Sequence, residues 1–250
     1  MYRQLAEVED RHFWFQARNR AIIAAFQQIR PRLGTGYRFL EVGCGTGNVL
    51  RGLQQVAKGG SLFGMDLELE GLRFARRRLD PAHLVVGDAG RPPFGVKFDV
   101  IGAFDVVEHI EDDVGVLRRL RDMLQPGGTL LLTVPANPRL WSYFDIAAQH
   151  KRRYRPADLR RKLGDAGFTV DYLTYFMAVL QPIVWGARGL TARRGRSRSL
   201  PPATLISSDL QVRPVMGRLL GLLLSPEVGL IAKRWRLPAG TSLLAVVSRA

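Results

Sequence analysis

Three glycines at alternate positions, Gly43, Gly45 and Gly47, follow the apolar run YRFLEV and precede a helical pattern. Because glycine has no side chain, the backbone N–H groups of such a turn can approach a ligand closely, and the N-terminus of the following helix favours negative charge. The spacing is G-x-G-x-G, and Asn48 stands where the dinucleotide fingerprint needs its third glycine. The turn therefore indicates a nucleotide-like ligand and disfavours a nicotinamide oxidoreductase.

Two carboxylates end the next two apolar runs. Asp66 ends SLFGMD, 19 residues after Gly47, and Asp88 ends HLVVGD. The carboxyl ends of parallel strands meet at one edge of a sheet, so Asp66 can accept hydrogen bonds from both hydroxyls of a ribose there. Asp88 can accept one from an exocyclic adenine amine. Each carboxylate alone is also typical of a helix cap or a solvated turn, but together they predict an adenosine-containing ligand.

These side chains need a scaffold that brings them to one edge. Strands are predicted at 37–42, 61–66, 83–88, 98–105, 129–135, 168–176 and 242–249, and helices at 5–30, from the glycine turn to about 57, and at 68–79, 112–124 and 156–166. Short, nearly continuous apolar runs are typical of parallel strands that are covered by helices on both faces. Their alternation with helices predicts an α/β, doubly wound fold.

The chain divides into four predicted parts. Residues 1–35 form an N-terminal helical cap, 36–176 the cofactor-binding core, 177–241 a helical insertion or substrate lid, and 242–250 the last core strand. About 65 residues between the last two strands are too many for a simple connection, which is why an insertion is expected there.

Four motifs resemble those of the class I S-adenosylmethionine-dependent methyltransferases: LEVGCGTG (40–47), MDLE (65–68), GDA (87–89) and FDVVEHIED (104–112). The strong match covers roughly residues 36–135. Two further segments, HFWFQARN (12–19) and AQHKRRYRPADLRRKLGDAGF (148–168), are similar to the small-molecule (type 11/12-like) branch, which includes methyltransferases of secondary metabolism and of quinone or lipid-linked precursors.

The resemblance implies S-adenosyl-L-methionine as the cofactor and a Rossmann-like, mostly parallel seven-stranded sheet whose last strand is antiparallel. It implies that Glu41 organises the loop around the methionine part, that Asp66 holds the ribose, and that the N-terminal helix folds over the cofactor. For the helix aromatic Trp14, packing on the domain is an equal alternative. The implied cofactor-binding residues are Trp14, Arg18, Glu41, Gly43, Cys44, Gly45, Gly47, Asp66, Leu67, Asp88, Ala89, Phe104 and Asp105.

Methyl transfer needs the nucleophile and the methyl group in line, water excluded and, for some acceptors, a proton removed. His12 and His83 are expected far from the crevice. His150, in the loop after the fifth strand, is the preferred base, and His109, after the fourth, is the second candidate. The alternative for both is structural, and an amine acceptor needs no base.

Four aromatic residues are predicted to wall the substrate: Trp141, Tyr143, Phe144 and Tyr154. They lie in or near the loop that carries His150, which opens onto the predicted crevice. The expected substrate is therefore a small aromatic or apolar molecule, with a lipid-linked acceptor as an alternative. The alternative is that these aromatic rings only pack within the lid and do not contact the substrate.

Positive charge is concentrated in the second half of the chain. The formal net charge is +15; Lys and Arg outnumber Asp and Glu by 18 to 16 in residues 1–135 and by 19 to 6 in residues 136–250. A nucleic-acid substrate is disfavoured, because 105–108 read Asp-Val-Val-Glu and not the Asn/Asp-Pro-Pro-aromatic motif of base methylation.

Apolar stretches with basic edges in the insertion suit peripheral contact with a membrane, a dimer interface or a lid equally well. The chain is expected to be a monomer or a homodimer.

One cysteine, Cys44, excludes an internal disulfide and a cysteine-rich zinc site, and no metal is expected. The charged N-terminus lacks the apolar stretch of a signal peptide, and no run is long and apolar enough to span a bilayer. We therefore expect a cytoplasmic protein, with peripheral contact with a membrane as an alternative.

Overall fold

The computed structural model describes residues 2–79, 82–182 and 214–249. The strands are β1 (Tyr37–Val42), β2 (Gly60–Asp66), β3 (His83–Val86), β4 (Phe98–Phe104), β5 (Leu124–Pro135), β6 (Phe168–Phe176) and β7 (Ser242–Arg249). The helices are α1 (Tyr2–Val8), α2 (Phe13–Ile29), α3 (Asn48–Gln54), α4 (Leu69–Arg78), α5 (Asp113–Met123), α6 (Tyr143–Ala147), α7 (Pro156–Asp165) and α8 (Pro214–Ala232).

The seven strands form one sheet in the order β3-β2-β1-β4-β5-β7-β6. All neighbours are parallel except β7, which runs antiparallel to both β5 and β6. Helices cover both faces, over two buried apolar clusters. The predicted Rossmann-like, mostly parallel seven-stranded fold is confirmed, including the antiparallel last strand.

The register of the central strands aligns their carboxyl ends. Val42 at the end of β1 is paired with Met65 in β2 and with Ala103 in β4, and Asp66 is paired with Val86 at the end of β3. The loops that follow these strands therefore open onto one edge of the sheet, at the point where the strand order reverses. Ligands of open α/β sheets bind at such a point.

The N-terminal segment departs from the prediction of one helix over 5–30. Two helices, α1 and α2, are separated at residues 9–12, where Glu9 is buried and its carboxylate accepts hydrogen bonds from Thr46 and Arg78. His12 caps α2 by accepting from the Trp14 N–H (3.2 Å). At the break between the two helices this carboxylate meets Thr46 of the glycine loop.

The predicted insertion is described only in part. Its arginine-rich segment at 193–199 lies outside the described residues, while α8 packs along α2 with Leu224 and Ile231 buried. None of the helices in the described part of the chain combines the length and the apolar character that a membrane crossing requires.

Candidate active site

Asp66 holds the glycine loop between β1 and α3. Its carboxylate, 8% exposed, accepts hydrogen bonds from the Gly45 N–H (2.7 Å) and the Glu68 N–H (2.9 Å). The Gly43 N–H donates to the Met65 carbonyl (2.7 Å). Asp66 thus has a loop-anchoring role that sequence reasoning did not foresee. Its carboxylate oxygens each retain further acceptor capacity, so the predicted ribose contact stays a prediction.

The loop requires glycine at its two ends. Gly43 and Gly47 have φ values of +71° and +76°, which favour glycine. A Cβ on Gly43 would lie 2.5 Å from Val106 Cγ2, and one on Gly47 would lie 3.0 Å from Ala75 Cβ. The middle residue, Gly45, also has positive φ (+51°). The loop therefore packs tightly against its neighbours, and a Cβ on Gly45 would lie 3.9 Å from Tyr2 Cε1.

Glu41 lies buried at the end of β1. It is 2% exposed, and its Oε2 has no hydrogen-bond partner among the described residues. Burial raises the pKa of Glu41 to about 8, with the nearby Arg18 opposing and Asp66 adding to the shift. A buried carboxyl oxygen without a partner is costly, and it fits a bound molecule that brings a donor or a positive charge.

Helix α2 folds over the carboxyl end of β4. Arg18 Nη1 lies 2.9 Å from Asp105 Oδ2, with both side chains largely buried, and the Thr133 hydroxyl donates to Asp105 Oδ1 (3.2 Å). The Arg18 guanidinium also lies over the Trp14 ring, 5.2 Å from its centroid. The structure thus brings Trp14, Arg18 and Asp105 together, and their contact with a cofactor remains a prediction.

The residues expected around the adenine differ in exposure. Leu67 is 65% exposed directly after Asp66, and Asp88 is exposed with its Oδ1 accepting from the Gly90 N–H (2.7 Å). Ala89 is partly buried. The side chain of Phe104 is instead buried in the core, so a role of its ring in cofactor contact is not supported.

His150 is fixed by a buried carboxylate. Asp145 in α6 is fully buried; its Oδ1 lies 2.9 Å from His150 Nδ1 and 2.6 Å from Arg153 Nε, and its Oδ2 accepts from the Ser142 N–H (2.8 Å). Burial raises the pKa of Asp145, but the hydrogen bonds from His150 and Arg153 outweigh it and hold that pKa below the ordinary value. An ionised Asp145 assigns the proton to Nδ1 and leaves Nε2 of His150 as the acceptor.

Glu108 lies on the other side of the imidazole. It is fully buried, neither carboxyl oxygen has a hydrogen-bond partner among the described residues, and Oε1 lies 4.0 Å from His150 Nε2. Burial, and then the charge of Asp105, raise the pKa of Glu108 well above its ordinary value. Burial therefore favours the neutral form of Glu108 beside the imidazole.

His109 completes this cluster at its exposed side. Its ring stands edge to face with that of His150, with 4.8 Å between the centroids. Desolvation, and then His150, lower the pKa of His109. One atom each of Glu108, His109 and His150 lies within 4.8 Å of the others, a spacing that would admit a metal ion. The two imidazoles and the carboxyl group also have the residue types of an acid–base group.

A cavity of about 470 Å³ opens beside the imidazoles. It is lined by His109, Trp141, Ile146, Gln149, His150 and Lys151. Trp141 is 41% exposed, and the predicted Phe144 and Tyr143 lie on the adjoining helix α6, exposed and half-buried respectively. The lining thus combines apolar side chains with two imidazoles and the Lys151 ammonium, a mixture that is typical of small-molecule sites.

Tyr154 does not belong to this wall. Its side chain is 2% exposed in the core, and its hydroxyl donates to Asp113 Oδ2 (2.9 Å). Burial and the charge of Asp113 raise the pKa of the phenol. The structure places the Tyr154 hydroxyl on a buried carboxylate, and the substrate contact of Tyr154 stays a prediction.

The described residues at the sheet edge fit an adenosyl cofactor. The glycine loop, the unpartnered Glu41 oxygen and the exposed Leu67 provide backbone N–H groups, a polar acceptor and an apolar platform. Cys44 adds no chemistry: burial, and then Glu41 and Asp66, raise the pKa of its buried thiol, so it stays protonated.

Sequence reasoning missed the roles of Asp145 and Glu108. Both are charged residues at fully buried positions, each within reach of His150. A signal for Asp145 was available, because Ser142 and Asp145 have the spacing of a capping box and His150 follows five residues later. For Glu108, sequence spacing carried no such signal.

A family model described as "Methyltransferase domain" matches residues 13–173, more than half of the chain. Among curated proteins, the chain is similar to the ubiquinone biosynthesis O-methyltransferase of Marinobacter nauticus, with 26% identity over 160 residues, 56% of this chain and 66% of that protein. The protein of the same name from Azorhizobium caulinodans is 28% identical over 181 residues, 65% of this chain and 66% of its own length. These alignments span slightly less than two thirds of the relatives.

Solved structures show the same fold. An S-adenosylmethionine-dependent methyltransferase from Clostridium acetobutylicum matches with a TM-score of 0.57 and 12% identity, over 92% of this chain and 90% of that one. Phosphoethanolamine N-methyltransferase 2 of Haemonchus contortus, in complex with S-adenosyl-L-methionine, matches with a TM-score of 0.57 and 20% identity, over 91% of this chain and 52% of that one.

Proposed function

This chain belongs to the class I S-adenosylmethionine-dependent methyltransferases, and from that premise we propose that it methylates a small molecule bound in the cavity beside His150. The observation that carries the proposal is the buried Asp145–His150 pair at the wall of that cavity. The acceptor atom is an oxygen, nitrogen or carbon nucleophile, and the acid–base cluster favours a hydroxyl oxygen, which must lose a proton.

The cofactor, S-adenosyl-L-methionine, supplies an activated methyl group when bound. The residues that would hold it are those of the glycine loop, with Glu41 and Asp105 at the methionine end and Asp66, Leu67 and Asp88 at the adenosine end. Arg18 neutralises Asp105 in the present arrangement. Trp14 and Arg18 on α2 would cover the site and exclude water.

His150 would act as the general base. Asp145 holds Nδ1–H, so Nε2 keeps its lone pair and can accept the proton of an acceptor hydroxyl in the cavity. The ionised Asp145 then stabilises the imidazolium that forms. Burial favours the neutral form of Glu108, which does not accept that proton. His109, with its lowered pKa, is a second candidate for the base.

More specifically, we propose that the methyl acceptor is a phenol of the quinone-precursor type. The curated relatives are named ubiquinone biosynthesis O-methyltransferases, and the exposed rings of Trp141 and Phe144 beside Ile146 would suit an aromatic acceptor with an apolar tail. A lipid-linked acceptor of this kind would be met at a membrane surface. A monomer or a homodimer is compatible with the proposal.

The test is transfer of a labelled methyl group from S-adenosyl-L-methionine to a panel of catechols. His150→Gln should lower turnover about 100-fold on any acceptor that the wild type methylates, the scale of general-base catalysis, and Asp145→Asn should follow it. Affinity for S-adenosylhomocysteine should not change. His83→Gln, at an exposed imidazole on β3, is the matched control. Wild-type turnover by His150→Gln would remove the base from the proposal.

A further inference from the structure

A second cavity, of about 810 Å³, lies between the α1–α2 segment and α8, and its lining shares no residue with the cavity beside His150. Its lining residues are Glu7, Val8, Arg11, His12, Phe13, Gln16, Arg20, Gly217, Arg218, Gly221, Leu222 and Ser225. A Cβ on Gly221 would lie 4.0 Å from Phe13 Cβ, so α8 and α2 lie close together at this side of the groove.

The groove is positively charged. Arg11, Arg20 and Arg218 are exposed, and none has an acidic partner within 4.0 Å among the described residues. Glu7 is the one acidic residue among those that line the groove. Its Oε1 lies 3.7 Å from Nε of Arg3, which does not line the groove. Three guanidinium groups without acidic partners are therefore available to phosphate, which they bind through paired N–H donors.

The adjoining face of α8 is apolar. Leu224 and Ile231 are buried on the side toward α2, but Met216, Leu219 and Leu223 are also apolar and are 52%, 50% and 54% exposed. A surface helix of a water-soluble protein normally carries polar residues on its outer side. With Leu222, at 68% exposed, they make up an apolar surface beside the basic groove that the described residues leave exposed.

We propose that this surface, the groove arginines with the exposed apolar residues of α8, docks the protein onto a bilayer of anionic lipid. Arg11, Arg20 and Arg218 would contact lipid phosphates, and Leu219, Leu222 and Leu223 would enter the boundary of the acyl chains. A second copy is a poorer occupant, because a symmetric pair brings the same patch of each copy together and so joins two patches of like charge. The docking goes beyond the proposed methyl transfer and does not depend on it.

The test is flotation of the full chain with vesicles of phosphatidylcholine alone and of phosphatidylcholine with about 30% phosphatidylglycerol. Binding should require the anionic lipid and should weaken with salt. Arg11→Gln/Arg20→Gln/Arg218→Gln should lower the partition coefficient about 100-fold, since each basic residue near the surface contributes about fivefold. Leu222→Ser/Leu223→Ser should lower it as well.

The control is Arg32→Gln/Arg73→Gln/Arg76→Gln, which removes three exposed arginines outside the groove. Thermal unfolding and affinity for S-adenosylhomocysteine establish that each variant is folded, so failure of docking is distinct from failure of the proposed function. Equal binding to neutral vesicles, or an equal loss in the control variant, would overturn the proposal. So would a dimer in light scattering that Leu222→Ser/Leu223→Ser converts to a monomer without any vesicle binding by the wild type.

Discussion

Replacing Asp66 with Asn tests how one carboxylate serves the glycine loop. The side chain keeps its shape, but one of the two acceptors becomes an amide donor that faces a backbone N–H of Gly45 or Glu68. A hydrogen bond to a charged group contributes about 1.5–3 kcal/mol, so the free energy of unfolding should fall by about that amount. In this variant the loop is held less firmly and the partner of the ribose is neutral. The variant should therefore bind the cofactor about 1–3 kcal/mol more weakly than the wild type, which corresponds to about a 5- to 150-fold higher Kd.

The assay is calorimetric titration with S-adenosylhomocysteine, together with urea unfolding of each variant. Asp99→Asn is the matched control, because the Asp99 carboxylate also accepts from a backbone N–H, that of Arg38 (2.8 Å), but does so at the opposite edge of the sheet. The control should lose stability and keep its cofactor affinity. A folded Asp66→Asn protein with wild-type affinity would refute the reasoning.

Two further predictions concern buried polar groups. The folded-state pKa of Glu41, about 8, is above its ordinary value of 4.5, so protonation stabilises the fold: this stability is fully present below about pH 4.5 and is lost as pH rises through about 8. Between pH 6 and pH 9 the free energy of unfolding of the wild type, measured with urea, should fall by about 2–3 kcal/mol more than that of Glu41→Gln. The same pH dependence in both proteins would contradict the assignment. Tyr154→Phe removes the donor to Asp113 and should lower the free energy of unfolding by about 1–3 kcal/mol with KM unchanged; a raised KM with unaltered stability would restore Tyr154 to the substrate site.

The strands and the glycine loop were predictable because their signals are local. Runs such as 37–42 and 168–176 are apolar over a strand's length, and the positive φ of Gly43 and Gly47 needs glycine at those positions. The fold class and the edge of the sheet that carries Asp66 follow from that alternation.

The rest depended on contacts between distant parts of the chain. Tyr154 in the core contacts Asp113, 41 residues away, and Glu9 at the break before α2 contacts Arg78. The environment of Glu108 arises only when the loop after β5 folds back onto the turn after β4. Spacing along the sequence does not predict contacts between such distant residues. The acid–base cluster could therefore be identified only from the structure.

The most direct test of the central account is calorimetric titration of the purified wild type with S-adenosylhomocysteine, with NADH as the control ligand. The account predicts micromolar binding of S-adenosylhomocysteine, weakened in Asp66→Asn, and no binding of NADH. Binding of NADH in place of S-adenosylhomocysteine would contradict it.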